Sequence, residues 1–232
     1  MASDEEATDR RRMRPSLLAP ALLAPRLRHV RWIGGGSGAG KSTVARQLAA
    51  TYGLRLYRTD DTIAEHVRRS RSTDTPLLDA FLAMDMDERW ANRSPEVMLK
   101  TFPWFAGEGF DLIMEDLLAL AENPLVLAEG FRLLPRLVAP LLSRPNQAVW
   151  LVPTPAFRRA AFDSRGLTWA IPTKTSKPER ALSNLLFRDH LFTQEVVKEA
   201  SALQLRVIEV DGTVSVDEMI RHVANHLDLS AP

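Results

Sequence analysis

Gly34-Gly35-Gly36-Ser37-Gly38-Ala39-Gly40-Lys41-Ser42-Thr43 is the stretch on which the reading of this 232-residue chain turns. Within it, Gly35, Gly40, Lys41 and Ser42 occupy the fixed places of G-x-x-x-x-G-K-[ST]. Residues without a Cβ let the backbone curl until successive N–H groups face inward, which makes a nest for anionic oxygens. A lysine at this place reaches the β- and γ-phosphates of a nucleotide, and the adjacent hydroxyl can ligate Mg2+. The apolar-leaning run Val30-Arg31-Trp32-Ile33 leads in as a strand. Ser42 to about Thr51 leads out as an amphipathic helix, its positive dipole end toward the same charge. A glycine-rich turn with a chance lysine is the plainer alternative, and this strand-loop-helix context argues against it. The expectation is a nucleoside triphosphate held by Gly35, Gly36, Ser37, Gly38, Ala39, Gly40, Lys41, Ser42 and Thr43.

Outward from the loop, strand and helix patterns alternate, as in a parallel sheet covered by helices on both faces. Leu54–Tyr57 reads as the second strand and ends at Thr59-Asp60-Asp61-Thr62. Pro124–Ala128 is nearly all apolar, as befits a strand buried on both faces, and ends at Glu129-Gly130. Ala148–Val152 is a further strand, followed by a helix from about Thr154 to Ser164. Leu205–Val210 is the last strand, ending in Asp211-Gly212-Thr213, and Ser215-Val216-Asp217-Glu218 opens a closing helix with nearly a capping box. Ligands of open parallel sheets bind beyond the carboxyl ends of the strands, and the glycine loop, Asp60, Asp61, Glu129 and Asp211 all fall at that edge. Residues 63–123 form a long, mostly helical insertion, the kind of connection that serves as a lid or specificity element. Its Trp90, Phe102, Trp104, Phe105 and Phe110 either stack on a flat acceptor or make the insertion's own core.

Composition narrows the field. Cysteine is absent, which excludes disulfides and thiolate zinc sites and suits a reducing, cytoplasmic setting. A formal net charge of +1 offers no global field to nucleic acid or an anionic membrane. No apolar run approaches the roughly 20 residues of a bilayer span. With 45% hydrophobic residues the chain can bury one sizeable α/β core with a lid. Arg10-Arg11-Arg12-Met13-Arg14 ahead of Leu17–Pro25 loosely mimics an export signal, but prolines break the apolar run and the first strand follows within a few residues. Residues 1–26 therefore read as a flexible basic leader before a domain spanning 27–232.

Gly34–Thr43, the pair Asp60-Asp61 and Leu125–Gly130 together resemble the P-loop kinases of small molecules, a group of nucleoside and nucleotide kinases, shikimate and gluconate kinases and chloramphenicol phosphotransferase. The resemblance runs from about residue 29 onward, and its specificity is concentrated in the glycine loop. It implies an α/β P-loop NTPase fold: a five-stranded parallel sheet with helices on both faces, a helical acceptor-binding insertion (63–123) and an arginine-bearing lid (158–190). It also implies transfer of the γ-phosphoryl group of ATP, with Mg2+, to a small molecule. Asp60 stands where that family places a carboxylate that contacts and often deprotonates the acceptor, and a hydroxyl needs such a base to become a useful nucleophile. Helix capping is the alternative for Asp60 and Asp61 alike. Shikimate-type kinases carry another acid where this chain has Arg58, which leaves Arg58 as an anion contact. Glu129 stands where the family sets an acid near Mg2+ or its waters, so Ser42 and Glu129 are the candidate metal residues; a surface pair with Arg132 is the alternative for Glu129. The lid implies arginines on phosphate oxygens, Arg165 first and catalytic alongside Lys41 and Asp60, then Arg158, with Arg188 behind them around a flexible Gly166–Pro178 segment.

The function expected from these residues is an ATP-dependent phosphotransferase acting on a nucleoside- or nucleotide-like acceptor. A hydroxylated metabolite or antibiotic is the alternative acceptor. A nucleotide-dependent regulatory ATPase switch, or a nucleotide binder without turnover, stands in a different class. A kinase needs an acceptor, a switch needs only water or a protein partner, and a binder needs neither. The sequence leaves ATP against GTP and the oligomeric state open.

Overall fold

The computed structural model describes residues 20–165 and 170–230. It begins with α1 (Pro20–Leu23), a 3-10 turn (Pro25–Leu27), β1 (Val30–Gly35) and α2 (Lys41–Tyr52). β2 (Arg55–Arg58) leads into the insertion, built from α3 (Ile63–Arg69), α4 (Pro76–Ala83), a π turn (Glu88–Asn92), α5 (Pro95–Thr101), α6 (Pro103–Ala106) and α7 (Phe110–Ala119). Then follow β3 (Val126–Glu129), α8 (Pro135–Val138), β4 (Ala148–Pro153) and α9 (Pro155–Arg165). α10 (Ala170–Thr173), α11 (Pro178–Ala202), β5 (Arg206–Val210) and α12 (Val216–His226) complete the chain. The five strands lie in the order β2-β3-β1-β4-β5, every pair parallel.

The central strands are apolar on both faces because both faces are covered: Val126, Leu127, Ala128, Val149, Trp150 and Leu151 are each 0% exposed. The outer strands β2 and β5 are only partly buried and carry Arg55, Arg58, Arg206 and Glu209, charges that discourage pairing with another edge. Side chains alternate strictly across the sheet. Val30, Trp32, Val126, Ala128, Ala148 and Trp150 meet the insertion and α11 through Phe81, Trp90, Phe102, Leu185 and Phe192. Ile33, Leu127, Val149 and Leu151 meet α2 and α12 through Val44, Ala45, Leu48, Met219, Ile220 and Val223. By the same alternation Glu129, two residues past Leu127, and Arg58, two past Leu56, fall on the α2 face. β1 continues to β2 on one side of the sheet and β4 to β5 on the other, so the crevice where such sheets bind ligands lies between the carboxyl ends of β1 and β4.

Each expected strand is present within a residue or two of its expected bounds. The closing helix has its capping box, Ser215 and Glu218 bonding each other's backbone N–H groups. The 25-residue α11 is an element that the strand-and-helix reading did not foresee. In the insertion the aromatic residues are mainly its own core. Trp90, Phe102 and Phe105 are each 7% exposed, and Phe105 stacks on Phe192 of α11 with ring centroids 3.8 Å apart. Trp104 remains half-buried. Residues 1–19 of the expected leader lie outside the described residues; beyond them Leu23 is 4% exposed and packs into the main core. Of the segment expected to be flexible, 166–169 lies outside the described residues and Ala170–Thr173 is helical. Among the described residues no helix is long and apolar enough to cross a membrane.

Candidate functional site

The glycine loop leaves β1 at Gly35, where φ is +121° and a Cβ would overlap the Leu151 carbonyl oxygen of β4. Only glycine serves there. The Gly36 amide donates to that carbonyl at 3.0 Å, which pins the start of the loop to β4. At the far end Gly40 stands in a left-handed conformation before α2, and its carbonyl accepts from the Thr43 and Val44 amides at 3.0 Å each. Between these anchors, the amides of Ser37, Gly38, Ala39, Gly40 and Ser42 donate to no acceptor among the described residues. Gly38 and Ala39 are buried, and a buried N–H left unpaired is costly, so these amides are donors in want of a partner. Lys41, 8% exposed, folds back so that Nζ donates to the Gly36 carbonyl at 2.7 Å, and its charge stays at the loop. Ser42 is half-buried and Thr43 exposed on the first turn of α2.

Arg158 closes the loop from the α9 side. It is 2% exposed, its Nε donates to the Ser37 carbonyl at 3.3 Å, and its NH2 donates to Thr193 Oγ1 on α11. Burial draws its pKa below the ordinary arginine value, and Asp189 opposes that. Thr193 in turn donates to the Asp189 carbonyl at 2.8 Å. Arg188, buried beside it, pairs with Asp189 and lies over the Phe102 ring with its guanidinium carbon 4.5 Å from the centroid. Arg188 is thus engaged in the insertion's aromatic core. Arg165 ends α9, and its side chain lies outside the described residues.

The carboxylates gather at the β2 and β3 ends. Asp60 is exposed in the turn after β2; its one side-chain hydrogen bond is a long 3.5 Å contact from the Thr59 hydroxyl. Neither Asp60 nor Asp61 caps α3, whose N-cap is Thr62; the Thr62 hydroxyl makes no cap bond and donates back to the Thr59 carbonyl at 3.0 Å. Asp61 instead accepts from Arg58 NH1 at 3.0 Å. Glu129 is 1% exposed; Oε1 accepts from Arg58 Nε at 3.3 Å and Oε2 has no partner among the described residues. Its partner is therefore Arg58 rather than Arg132, and the pair lies at the sheet edge with Glu129 fully enclosed. Arg58, engaged by two carboxylates, is not placed as a free anion contact. No group of three or more His, Cys, Asp or Glu side chains able to hold a metal occurs among the described residues. Magnesium does not need one, since it keeps several waters and takes one or two carboxylates with substrate phosphates.

Arg132 is the residue here that sequence reasoning undervalued. It is 2% exposed, three residues past Glu129, and its NH1 donates to the Thr59 carbonyl at 3.3 Å. Burial pushes its pKa down to about 10, against the pull of Tyr57, Asp60, Asp116 and Asp111, so it is a cation at neutral pH. Behind it stand His66 and Asp116, neither of which any sequence motif marks.

These features define a class: an α/β protein whose five-stranded, all-parallel sheet carries a glycine-rich loop at its carboxyl edge and runs on into a helix. Compared by sequence, the chain matches no protein-family model and no curated protein. Among solved structures it is similar to an uncharacterized protein from Eubacterium ventriosum, at TM-score 0.45 and 16% identity over 86% of this chain and 97% of that one. It is also similar to the NadR protein in complex with NR, at TM-score 0.36 and 14% identity over 88% of this chain and 53% of that one.

Proposed function

We propose that this chain is a P-loop kinase of a small molecule, an ATP:acceptor phosphotransferase whose acceptor is nucleoside- or nucleotide-like. The observation that carries the reading is the loop between β1 and α2: five amides without a protein acceptor around a buried lysine. Those amides would receive the β- and γ-phosphate oxygens, with Lys41 exchanging its carbonyl partner for phosphate. Arg158, held at the loop by Thr193, would add a second cation against the charge that develops on the transferring group. Ser42 and Glu129 fit a magnesium ion, Ser42 by its hydroxyl and Glu129 through waters, and the unpartnered Oε2 is the group such a hydrated ion would satisfy. When bound, the ion would neutralise phosphate charge. Asp60, exposed and uncommitted, would accept the acceptor's proton. Phe131, half-buried two residues past Glu129, and Trp104 offer aromatic faces for a base.

The test is transfer from ATP and Mg2+ to a pooled panel of nucleosides, nucleotides, sugar acids and aminoalcohol antibiotics, read by mass spectrometry. The expected result is a phosphorylated nucleoside or nucleotide, lost by at least about 1000-fold in Lys41→Ala and in Asp60→Asn. A phosphorylated sugar acid or antibiotic would replace the acceptor class and keep the reaction. ATP consumption with no phosphorylated acceptor, unaffected by Asp60→Asn, would overturn the kinase reading in favour of a regulatory ATPase.

A further inference from the structure

Asp60 sits on a short turn, Thr59 to Thr62, with no helix cap of its own to hold it. Within the turn the Thr62 hydroxyl donates to the Thr59 carbonyl at 3.0 Å, and the rest of its support comes from below. Arg132 NH1 donates to the Thr59 carbonyl at 3.3 Å and approaches Thr62 Oγ1 at 3.5 Å, so both ends of the turn meet one guanidinium. Arg132 NH2 donates to the Gly109 carbonyl at 3.1 Å and to His66 Nδ1 at 3.0 Å. A guanidinium can only donate, so Nδ1 of His66 must be the acceptor and the ring proton must sit on Nε2. That Nε2–H faces Asp116 Oδ2 at 2.7 Å. The row Asp116, His66, Arg132 is thus polarised in one sense, from a carboxylate through a neutral imidazole to a buried cation beneath the Asp60 turn.

We propose that Arg132 is the positioning residue of the Asp60 turn, and that His66 and Asp116 hold its guanidinium in place. The role given to Asp60 rests on the phosphotransferase reading; the bracing of the turn does not. The Arg132 fork fixes the backbone that aims the Asp60 carboxylate, tying the turn to Gly109 and His66 below it. The titratable groups facing Arg132 are Tyr57 and Asp60 from β2 and its turn, His66 from α3, and Asp111 and Asp116 from α7. The carboxylates balance the buried cation, and among these groups only Asp60, at the end of β2, is exposed.

The experiment uses the full chain and two variants, Arg132→Met and Arg132→Lys. First, ring 15N shifts of His66 in the parent protein at neutral pH should report the Nε2–H form with a bare Nδ1. An Nδ1–H form or an imidazolium would overturn the bracing outright. Second, in Arg132→Met the amides of Thr59–Thr62 should exchange with solvent at least about 10-fold faster, while those of α2 stay unchanged. Unchanged exchange in the turn would also overturn it. Third, ADP release with the acceptor panel should fall about 100-fold in Arg132→Met, with ATP affinity by calorimetry held within about threefold. The loss should fall on kcat, with the acceptor KM held within about threefold, because a misaimed carboxylate spoils the reacting geometry rather than binding. Arg132→Lys, which keeps the charge and lacks the fork, should restore only part of kcat. Equal kcat in all three proteins would overturn the positioning role. If the parent phosphorylates nothing in the panel, the kinase reading fails, and the first two measurements still decide the bracing.

Discussion

Gly130 separates Glu129 from Phe131 at a φ of +148°, and a Cβ there would overlap Thr59 Oγ1 and reach 3.0 Å from Thr59 Cβ. Thr59 is fully buried and its amide donates to the Glu129 carbonyl at 2.9 Å, so it has little room to retreat. Gly130→Ala should therefore cost about 1–3 kcal/mol of stability and tilt the adjacent Asp60 turn. Thermal unfolding should show the first effect, and acceptor-dependent ADP release should fall more than about 10-fold with ATP affinity retained. Unchanged turnover would mean that the turn does not place the reacting carboxylate. At this scale, legibility in the sequence follows locality. The glycine loop is one continuous segment whose composition states its chemistry, whereas Arg132 meets residues 59, 62, 66 and 109, partners that only folding brings together.

Among the elements, α7 is tied to β2 and α3 through one carboxylate. Asp116 accepts from Tyr57 OH at 2.8 Å, His66 Nε2 at 2.7 Å and Arg69 NH1 at 2.7 Å. Burial alone would raise its pKa, but the bonds from His66, Arg69 and Tyr57 outweigh that and hold it at about 2. A carboxyl group lowered from 3.8 to about 2 contributes stability above its unfolded pKa and loses that contribution as pH falls through its folded one. The difference corresponds to about 2 kcal/mol at neutral pH. Asp116→Asn should accordingly lower urea-unfolding stability by about that much at pH 7 and by roughly half as much at pH 3. A deficit equal at both pH values would show that its charge does not hold the insertion. The strands were legible because runs such as Val126–Ala128 can only be buried on both faces. α11 was not: its buried stripe of Ala181, Leu185, Phe192 and Val196 is interrupted by Arg188 and Asp189, a buried ion pair that reads from sequence as a solvated face.

On the scale of the whole molecule, the β2-β3-β1-β4-β5 order sends the chain away from β1 and β4 in opposite directions and opens the crevice at the glycine loop. The alternation of strands and helices in the sequence leads to a parallel sheet and to its carboxyl edge, and it is silent on strand order. It is equally silent on the long-range clasp in which Arg158 of α9 joins Ser37 of the loop to Thr193 of α11. The functional part of the account depends on the loop taking a triphosphate. The most direct measurement is calorimetric titration of ATP and Mg2+ into the full chain and into Lys41→Ala, both checked for folding by circular dichroism. The account predicts one saturable site of about micromolar to submillimolar affinity, dependent on Mg2+ and weakened at least about 100-fold in Lys41→Ala. No binding by the parent chain, or equal binding by a folded Lys41→Ala, would contradict it.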